Sequence, residues 1–128
     1  PWVLVLGSES HGISPKNSCV MYESLKADKQ LDLSSKPTLS DGTAGGVEFG
    51  SITFQLCKDV IDEFAVVSED EIIDGIRIGL EKHHQLIEGA AGTAIAGFLK
   101  YQRDLSGKTV VIVMCGGNIS SEVLKSIL

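Results

Sequence analysis

Thr109–Met114 (TVVIVM), which leads into Cys115–Asn118 (CGGN), carries the strongest strand signal in the sequence. Four consecutive residues within it, Val110–Val113, are β-branched, and β-branched side chains favour strands. The two glycines that follow end the strand and allow the backbone to come close to a neighbouring group. The stretch therefore predicts a strand that emerges into a tight turn of small residues.

Two further strands are predicted upstream. Val3–Leu6 is a continuous apolar run, which is typical of a strand that a parallel sheet buries on both faces. Phe64–Val67 is a second short apolar run. Gly7–Lys16, by contrast, carries Gly, Ser and Pro and predicts a loop. Ala27–Gly46 has few large apolar residues and predicts a long loop.

Apolar residues at helical spacing predict about five helices among these strands. The clearest start signal is Ser68 with Glu71, because each side chain can accept from the other residue's backbone N–H. Glu88–Tyr101 is rich in Ala and Gly, which lets a helix there pack very closely on a sheet. The predicted bounds are about 17 or 18 to 26, 47 or 51 to 63, 69 to 83, 88 to 101, and 120 or 121 onward.

The alternation of strands and helices predicts an α/β fold with a small parallel sheet flanked by helices. Residues 1–128 form a single α/β segment in this interpretation. Pro1 and Trp2 lead straight into the first predicted strand, and so small a sheet has two edges to cover. We therefore expect a fragment of a larger domain, with more chain before Pro1 and a tendency to self-associate.

Composition narrows the classes of function. The 17 Asp and Glu outnumber the 11 Lys and Arg and give a net charge of −6, which disfavours nucleic acids and anionic membranes as partners. No apolar run approaches the ~20 residues that a membrane-spanning helix needs. The three cysteines are far apart, so neither a disulfide framework nor a zinc site is predicted. A soluble protein of the reducing cytoplasm fits best.

Ligands of open α/β sheets bind beyond the carboxyl ends of strands, which makes Cys115–Asn118 the first candidate site. Its thiol and two glycines form either a ligand-binding turn or a tight strand-to-helix connection with a buried cysteine. Asp41–Glu48 and Glu88–Gly92 also pair a carboxylate with small residues. Together the three segments indicate polar groups brought up to a flat or bulky ligand.

Four segments in order resemble the C-terminal portion of the serine/threonine dehydratases. These are fold type II pyridoxal-phosphate enzymes and are related to serine racemase, so the resemblance implies part of a large cofactor-binding domain. Each motif alone is weak, whereas four in order at suitable spacing are specific. The segments are Asp41–Glu48 (DGTAGGVE), Val67–Ile72 (VSEDEI), Ile87–Gly92 (IEGAAG) and Cys115–Asn118 (CGGN).

The resemblance implies cofactor-facing roles for five residues. Cys115, with Gly116 beside it, matches the position that faces the pyridine nitrogen of pyridoxal phosphate. A neutral thiol does not hold a proton on that nitrogen as an aspartate would, which favours elimination of a β-substituent. Glu88 matches the family's cofactor-side glutamate, and Asp41 and Gly42 match the loop that borders the ring. Each of these residues also has a purely structural interpretation. Glu88 could be a carboxylate that the dipole of a helix N-terminus stabilises, and Asp41 could belong to a simple turn.

The reaction implied by the resemblance is the β-elimination of a hydroxy amino acid to a 2-keto acid and ammonia. The family's Schiff-base lysine lies in a Ser-x-Lys-x-Arg-Gly segment, and none of the lysines in this chain does. We therefore expect the parent enzyme to be a pyridoxal-phosphate-dependent ammonia-lyase. The isolated chain is expected to be inactive, to hold no catalytic residue and not to bind the cofactor stably. The identity of the hydroxy amino acid stays open.

No metal site is predicted. Some relatives hold a divalent cation through a Glu after the first strand and an Asp before the next helix. Glu9 could supply the first ligand, but no carboxylate lies between Glu9 and Glu23. His83 and His84 are adjacent and point about 100° apart on a helix, so they cannot chelate one ion together.

Two other classes of function remain open. One is a free-standing, non-catalytic α/β domain used for binding or assembly, which coding sequence for the lysine segment upstream would argue against. The other is a nucleotide- or anion-binding module that uses the Gly116-Gly117 turn at a helix N-terminus. The chain has neither a G-x-G-x-x-G motif nor a P-loop lysine, which disfavours the second class.

Overall fold

The computed structural model describes the backbone of residues 3–6 and all of residues 9–128. Its centre is one four-stranded sheet, with the strand order β3-β2-β1-β4. The strands are β1 (Val3–Leu6), β2 (Ser10–Pro15), β3 (Glu63–Val67) and β4 (Val111–Ile112).

The sheet is mixed. β1 runs antiparallel to β2, with Val3 opposite Ile13, and antiparallel to β4, with Leu6 opposite Val111. β2 and β3 are parallel. The α/β class and a parallel strand pair are thus confirmed, whereas the expectation that β1 joins an all-parallel sheet is wrong. Since β2, β3 and β4 run in one direction, their carboxyl ends share one edge of the sheet, and β1 ends at the opposite edge.

The prediction of a loop at Gly7–Lys16 is wrong for the part that forms β2, while Gly7 and Ser8 lie outside the described residues. β2 lies between two other strands, and all six of its residues are buried. Small residues make this burial possible, because a Cβ at Gly12 would come within 2.6 Å of the Phe64 ring. The polar and small residues of Ser10–Pro15 therefore led to the prediction of a loop where the structure has a central strand.

β4 is shorter than predicted. The stretch Thr109–Met114 contributes only Val111–Ile112 to the sheet. β4 pairs with β1 alone in the described part of the chain, and Val111 is 53% exposed and Met114 44% exposed. The preference of β-branched residues for strands depends on packing against neighbouring strands. β4 is short because, among the described strands, only β1 lies beside it.

All five predicted helices are present. The first begins at Val20, after a short 3₁₀ turn at Lys16–Ser18, and the second ends at Val60, earlier than expected. The predicted long loop 27–46 is confirmed and holds a single 3₁₀ turn, Asp41–Thr43. The helices are α1 (Val20–Lys26), α2 (Ile52–Val60), α3 (Glu69–His83), α4 (Gly89–Tyr101) and α5 (Ser121–Ile127).

The predicted capping box begins α3. The Ser68 hydroxyl accepts from the backbone N–H of Glu71 at 3.2 Å, and the Glu71 carboxylate accepts from the backbone N–H of Ser68 at 2.7 Å. At the other end, His84 takes a left-handed conformation (φ 53°) and ends the helix. α4 begins only at Gly89, so the predicted break between His84 and Glu88 is confirmed.

α4 is the central helix of the core. Residues 89–97 of it are all buried, and a Cβ at Gly97 would come within 2.5 Å of Ile13 on β2, which confirms the close packing on the sheet. On α3, a Cβ at Gly75 would overlap the carbonyl oxygen of Gly92. Glycines thus set the distance between the two helices. No helix in the described ranges, 3–6 and 9–128, is long and apolar enough to cross a membrane.

Candidate functional site

Glu88 lies where α4 meets the turn that follows β4. It is the N-cap of α4 and has extended backbone angles (φ −90°, ψ 176°). Its backbone N–H donates to the carbonyl oxygen of Gly116 at 3.2 Å, and its carbonyl oxygen accepts from the N–H of Gly92 at 3.0 Å. The side chain makes no capping bond to α4 itself and is directed elsewhere.

The carboxylate of Glu88 contacts two of the three predicted segments. Oε2 accepts from the backbone N–H of Asn118 at 3.0 Å. Oε1 faces Gly42, where a Cβ would lie 3.5 Å away. At Gly116 a Cβ would overlap Oε1 and come within 2.7 Å of Oε2. One carboxylate therefore joins the Asp41 loop, the start of α4 and the turn after β4.

Two glycines in the turn after β4 are required by this geometry. Gly116 has φ +94°, which L side chains rarely adopt, and the Glu88 carboxylate fills the space beside it. A Cβ at Gly117 would come within 3.0 Å of the carbonyl oxygen of Leu86. The segments 86–88 and 116–118 thus lie side by side, backbone against backbone.

The Asp41 loop is held by its own short-range bonds. Oδ1 of Asp41 accepts from the N–H of Gly42 at 2.8 Å, and the Asp41 carbonyl oxygen accepts from the N–H of Ala44 at 3.1 Å. Ser40 is fully buried, with its hydroxyl 2.6 Å from that of Thr43. The turn anticipated at Asp41 is therefore present, and the Asp41 side chain is exposed beside it.

α4 begins directly against this loop. A Cβ at Gly89 would overlap the carbonyl oxygen of Leu39 and come within 2.7 Å of the backbone nitrogen of Ser40. The small residue after Glu88 is what allows the helix to start there. This contact fixes the Asp41 loop beside the Glu88 carboxylate.

Cys115 precedes the turn and follows β4 along the chain. Its thiol is free and half-buried. Of the five predicted site residues, the structure brings Gly42, Glu88 and Gly116 into direct apposition, with Asp41 and Cys115 next to them in sequence. Sequence reasoning missed the part of Asn118, because its donor is a backbone N–H that no side-chain pattern reveals.

The three residues that were considered as metal ligands, Glu9, His83 and His84, do not form one site. Glu9 lies at the other edge of the sheet and accepts from Lys108 at 3.0 Å. His84 caps α3, and His83 lines a separate apolar groove beside Ile78 and Phe98. Among the residues that the structure describes, no three His, Cys, Asp or Glu side chains cluster as metal ligands.

A glycine-rich turn after the carboxyl end of β4, joined to two further glycine-rich segments by one carboxylate, is typical of the ligand sites of α/β domains. The model of the family "pyridoxal-phosphate dependent enzyme" matches residues 7–116. The chain belongs to this family of pyridoxal-phosphate-dependent enzymes. The predicted family is thus confirmed.

The similar curated relatives include an ammonia-lyase and a dehydratase that are both named for L-threonine. The chain is 37% identical to the L-threonine ammonia-lyase of Thermotoga maritima over 117 residues, which cover 91% of this chain and 29% of that enzyme. It is 32% identical to the biosynthetic L-threonine dehydratase of Pasteurella multocida over 127 residues, covering 98% of this chain and 24% of the relative. The chain thus spans about a quarter of these relatives.

Solved structures share the fold. The processed form of threonine deaminase isoform 2 from Solanum lycopersicum aligns with a TM-score of 0.80 at 28% identity, over 91% of this chain and 34% of that one. Serine racemase from Dictyostelium discoideum aligns with a TM-score of 0.70 at 30% identity, over 83% of this chain and 34% of the racemase.

The residues present fit a pyridoxal ring. Small residues leave backbone exposed around one carboxylate, and nothing lies within 4 Å of a Cβ at Gly45 or Gly46 in the loop that follows Asp41. Cys115 offers a thiol, which is a weak hydrogen-bond donor and acceptor. Pyridoxal phosphate is accordingly the cofactor of the parent enzyme.

Proposed function

We propose that residues 1–128 form the C-terminal part of the cofactor-binding domain of a pyridoxal-phosphate-dependent serine/threonine dehydratase. The full-length enzyme converts a hydroxy amino acid to a 2-keto acid and ammonia by β-elimination. The observation that supports this most strongly is the apposition of Gly42, Glu88 and Gly116 around one carboxylate. The names of the related ammonia-lyase and dehydratase supply the reaction.

Each residue has a distinct role in this proposal. Glu88 holds the turn after β4 through the Asn118 N–H, so that Cys115 is presented at a fixed position to the ring nitrogen. Gly42 and Gly116 keep side chains away from the ring, and Asp41 shapes the loop that borders it. The cofactor, when bound, supplies the electron sink for elimination. A thiol at position 115, in place of a carboxylate, leaves that sink incomplete, which favours loss of the β-hydroxyl.

The polypeptide limited to these 128 residues is proposed to be inactive. The family's Ser-x-Lys-x-Arg-Gly segment is not among them, so the covalent anchor must come from other residues. Mixed with pyridoxal phosphate, this polypeptide should give no stable visible band of a lysine-bound cofactor. A reducible, site-specific adduct on residues 1–128 would contradict this part of the proposal.

The full-length protein provides the main test. With pyridoxal phosphate it should develop a visible cofactor band, and with L-serine or L-threonine it should release 2-keto acid and ammonia. The Cys115→Ala variant should change the position of the band and lower the rate, while Cys57→Ala, on α2, should leave the band unchanged. A full-length protein that binds no cofactor would overturn the proposal.

Location and assembly complete the proposal. All three thiols are free, a state that the reducing cytoplasm maintains, so we assign the enzyme to that compartment. We further propose a homo-oligomer whose interface includes Phe49, before α2, and Ile52, the first residue of α2, which are 74% and 73% exposed. A monomer in analytical ultracentrifugation would contradict the second assignment.

A further inference from the structure

A cavity separate from the proposed cofactor site lies at the carboxyl ends of the parallel strands β2 and β3. Its volume is about 560 Å³, within the usual range of small-ligand sites. It lies at the same edge of the sheet as the Cys115 turn but beside other strands, and the proposed cofactor site does not use it. Its lining residues are Lys16, Cys19, Tyr22, Glu23, Val66, Ser68, Glu71 and Lys100.

Two of the four charged lining groups neutralise each other. Lys100 donates to the carbonyl oxygen of Val66 at 2.8 Å and pairs with Glu71 at 3.4 Å. Burial alone would raise the pKa of Glu71, but the Ser68 N–H and the Lys100 ammonium outweigh it and lower that pKa. The lowered pKa keeps the Glu71 carboxylate ionised at neutral pH, and the pair forms one wall of the cavity.

The other two charges face the cavity without such a pairing. Among the described residues, no ion pair within 4.0 Å involves the ammonium of Lys16 or the carboxylate of Glu23. Lys16 begins the turn before α1, and Glu23 lies on α1 itself. Tyr22 and Val66 add apolar surface between polar groups. The cavity thus offers one positive pole, one negative pole and an apolar wall.

We propose that this cavity binds a free α-amino acid, with its carboxylate on Lys16 and its ammonium on Glu23. A simple anion on Lys16 would leave the Glu23 carboxylate without a partner, and a simple cation on Glu23 would leave the Lys16 ammonium without one, whereas a zwitterion satisfies both poles. The site is separate from the cofactor, so an amino acid bound there regulates or stabilises the domain and is not the molecule being eliminated.

Cys19 supplies a local reporter for this binding. Its thiol is half-buried in the cavity, and burial, with a smaller contribution from Glu23, raises its pKa. Alkylation by iodoacetamide is therefore followed at mildly alkaline pH, in the full-length protein, and each cysteine is quantified by peptide mass spectrometry. L-Alanine and L-leucine are the probes, because neither has a β-hydroxyl to eliminate.

Both probes should slow alkylation of Cys19 several-fold and leave Cys57 unchanged. N-Acetyl-L-alanine and L-alaninamide each lack one charge and should protect far less. In Lys16→Gln and Glu23→Gln the half-protecting concentration should rise by up to about fivefold, the effect of one solvent-screened ion pair. Lys16→Arg, which keeps the charge, and Lys29→Gln, in the exposed loop after α1, should behave as wild type.

Three results would overturn the proposal. These are equal Cys19 alkylation with and without the amino acids, equal protection by the singly charged analogues, and unchanged protection in both Lys16→Gln and Glu23→Gln. The cofactor proposal stands or falls separately, since it is reported by Cys115 and by the visible band.

Discussion

The carboxylate of Glu88 occupies the space that a side chain at Gly116 would need. A Cβ built at Gly116 overlaps Oε1 of Glu88, while the backbone N–H of Glu88 donates to the Gly116 carbonyl at 3.2 Å. The start of α4 and the end of β4 are thus fitted to each other at one residue pair. No residue other than glycine at 116 preserves both the φ of +94° and the carboxylate position.

Gly116→Ala should destabilise the protein and displace Glu88. Left-handed backbone strain contributes about 1–2 kcal/mol, and loss of the hydrogen bond from Asn118 to Glu88 adds about 1 kcal/mol. We expect the free energy of unfolding in urea to fall by about 2–3 kcal/mol. Hydrogen exchange at the Asn118 amide should accelerate in parallel.

Gly107→Ala is the matched control for this substitution. Gly107 also has a positive φ, +78°, but nothing lies within 4 Å of its Cβ. Its substitution should therefore cost only the backbone strain and leave exchange at Asn118 unchanged. Equal destabilisation by the two substitutions would show that the Glu88 contact adds nothing.

Gly75→Ala should disrupt the packing of α3 on α4. The new Cβ would overlap the Gly92 carbonyl oxygen, which is backbone and cannot rotate away. Overpacking costs about 1–3 kcal/mol and outweighs the gain in helix propensity of about 1 kcal/mol. Gly79→Ala meets only the end of the Ile87 side chain, at 2.5 Å, and should be tolerated better. Thermal unfolding of both variants decides this, and a more stable Gly75→Ala would contradict the close contact.

Asp62 should make part of the stability depend on pH. The backbone N–H of Ser10 donates to Asp62 at 2.7 Å, and this bond, together with the Ser10 hydroxyl, holds the pKa of Asp62 below its usual value. The stabilisation is therefore present above the unfolded pKa of about 3.9 and is lost as the pH falls through the folded pKa. Asp62→Asn should be less stable than wild type at pH 7, with a difference that shrinks toward pH 3. A difference independent of pH, or the same behaviour in Asp32→Asn, would contradict this.

Local sequence signals were sufficient to predict the helices. The capping box of Ser68 and Glu71 depends on two residues three positions apart, and the structure forms it as predicted. The Ala- and Gly-rich segment that forms α4 predicted close packing, because its small residues can be read directly from the sequence. Such features need no knowledge of distant contacts.

The strands depended on distant contacts and were harder to predict. β2 carries Ser10, His11 and Ser14, yet all are buried, because β1 and β3 pair on its two sides and Phe64 covers Gly12. β4 had the strongest local signal and forms only Val111–Ile112, because it has one partner among the described strands. Strand pairing, which sequence periodicity does not encode, decided both outcomes.

The candidate site was predictable as a set of segments and not as a set of contacts. Two segments that pair glycine with a carboxylate, and a third that pairs glycine with a thiol, indicated a common ligand, and Gly42, Glu88 and Gly116 do lie together. The bond from the Asn118 backbone to Glu88 could not be predicted, since any residue carries that N–H.

Protection of the Cys115 thiol by bound cofactor is the decisive measurement, because the proposed site places that thiol against the ring. In the full-length protein, the alkylation rates of Cys115 and Cys57 are measured with and without saturating pyridoxal phosphate. Cys57 lies on α2 and is buried, so its alkylation reports any general opening of the fold. The account predicts that the cofactor slows alkylation of Cys115 at least about tenfold and leaves Cys57 unchanged, because a ring seated on the turn covers the sulfur. Equal rates at Cys115 with and without bound cofactor would contradict it.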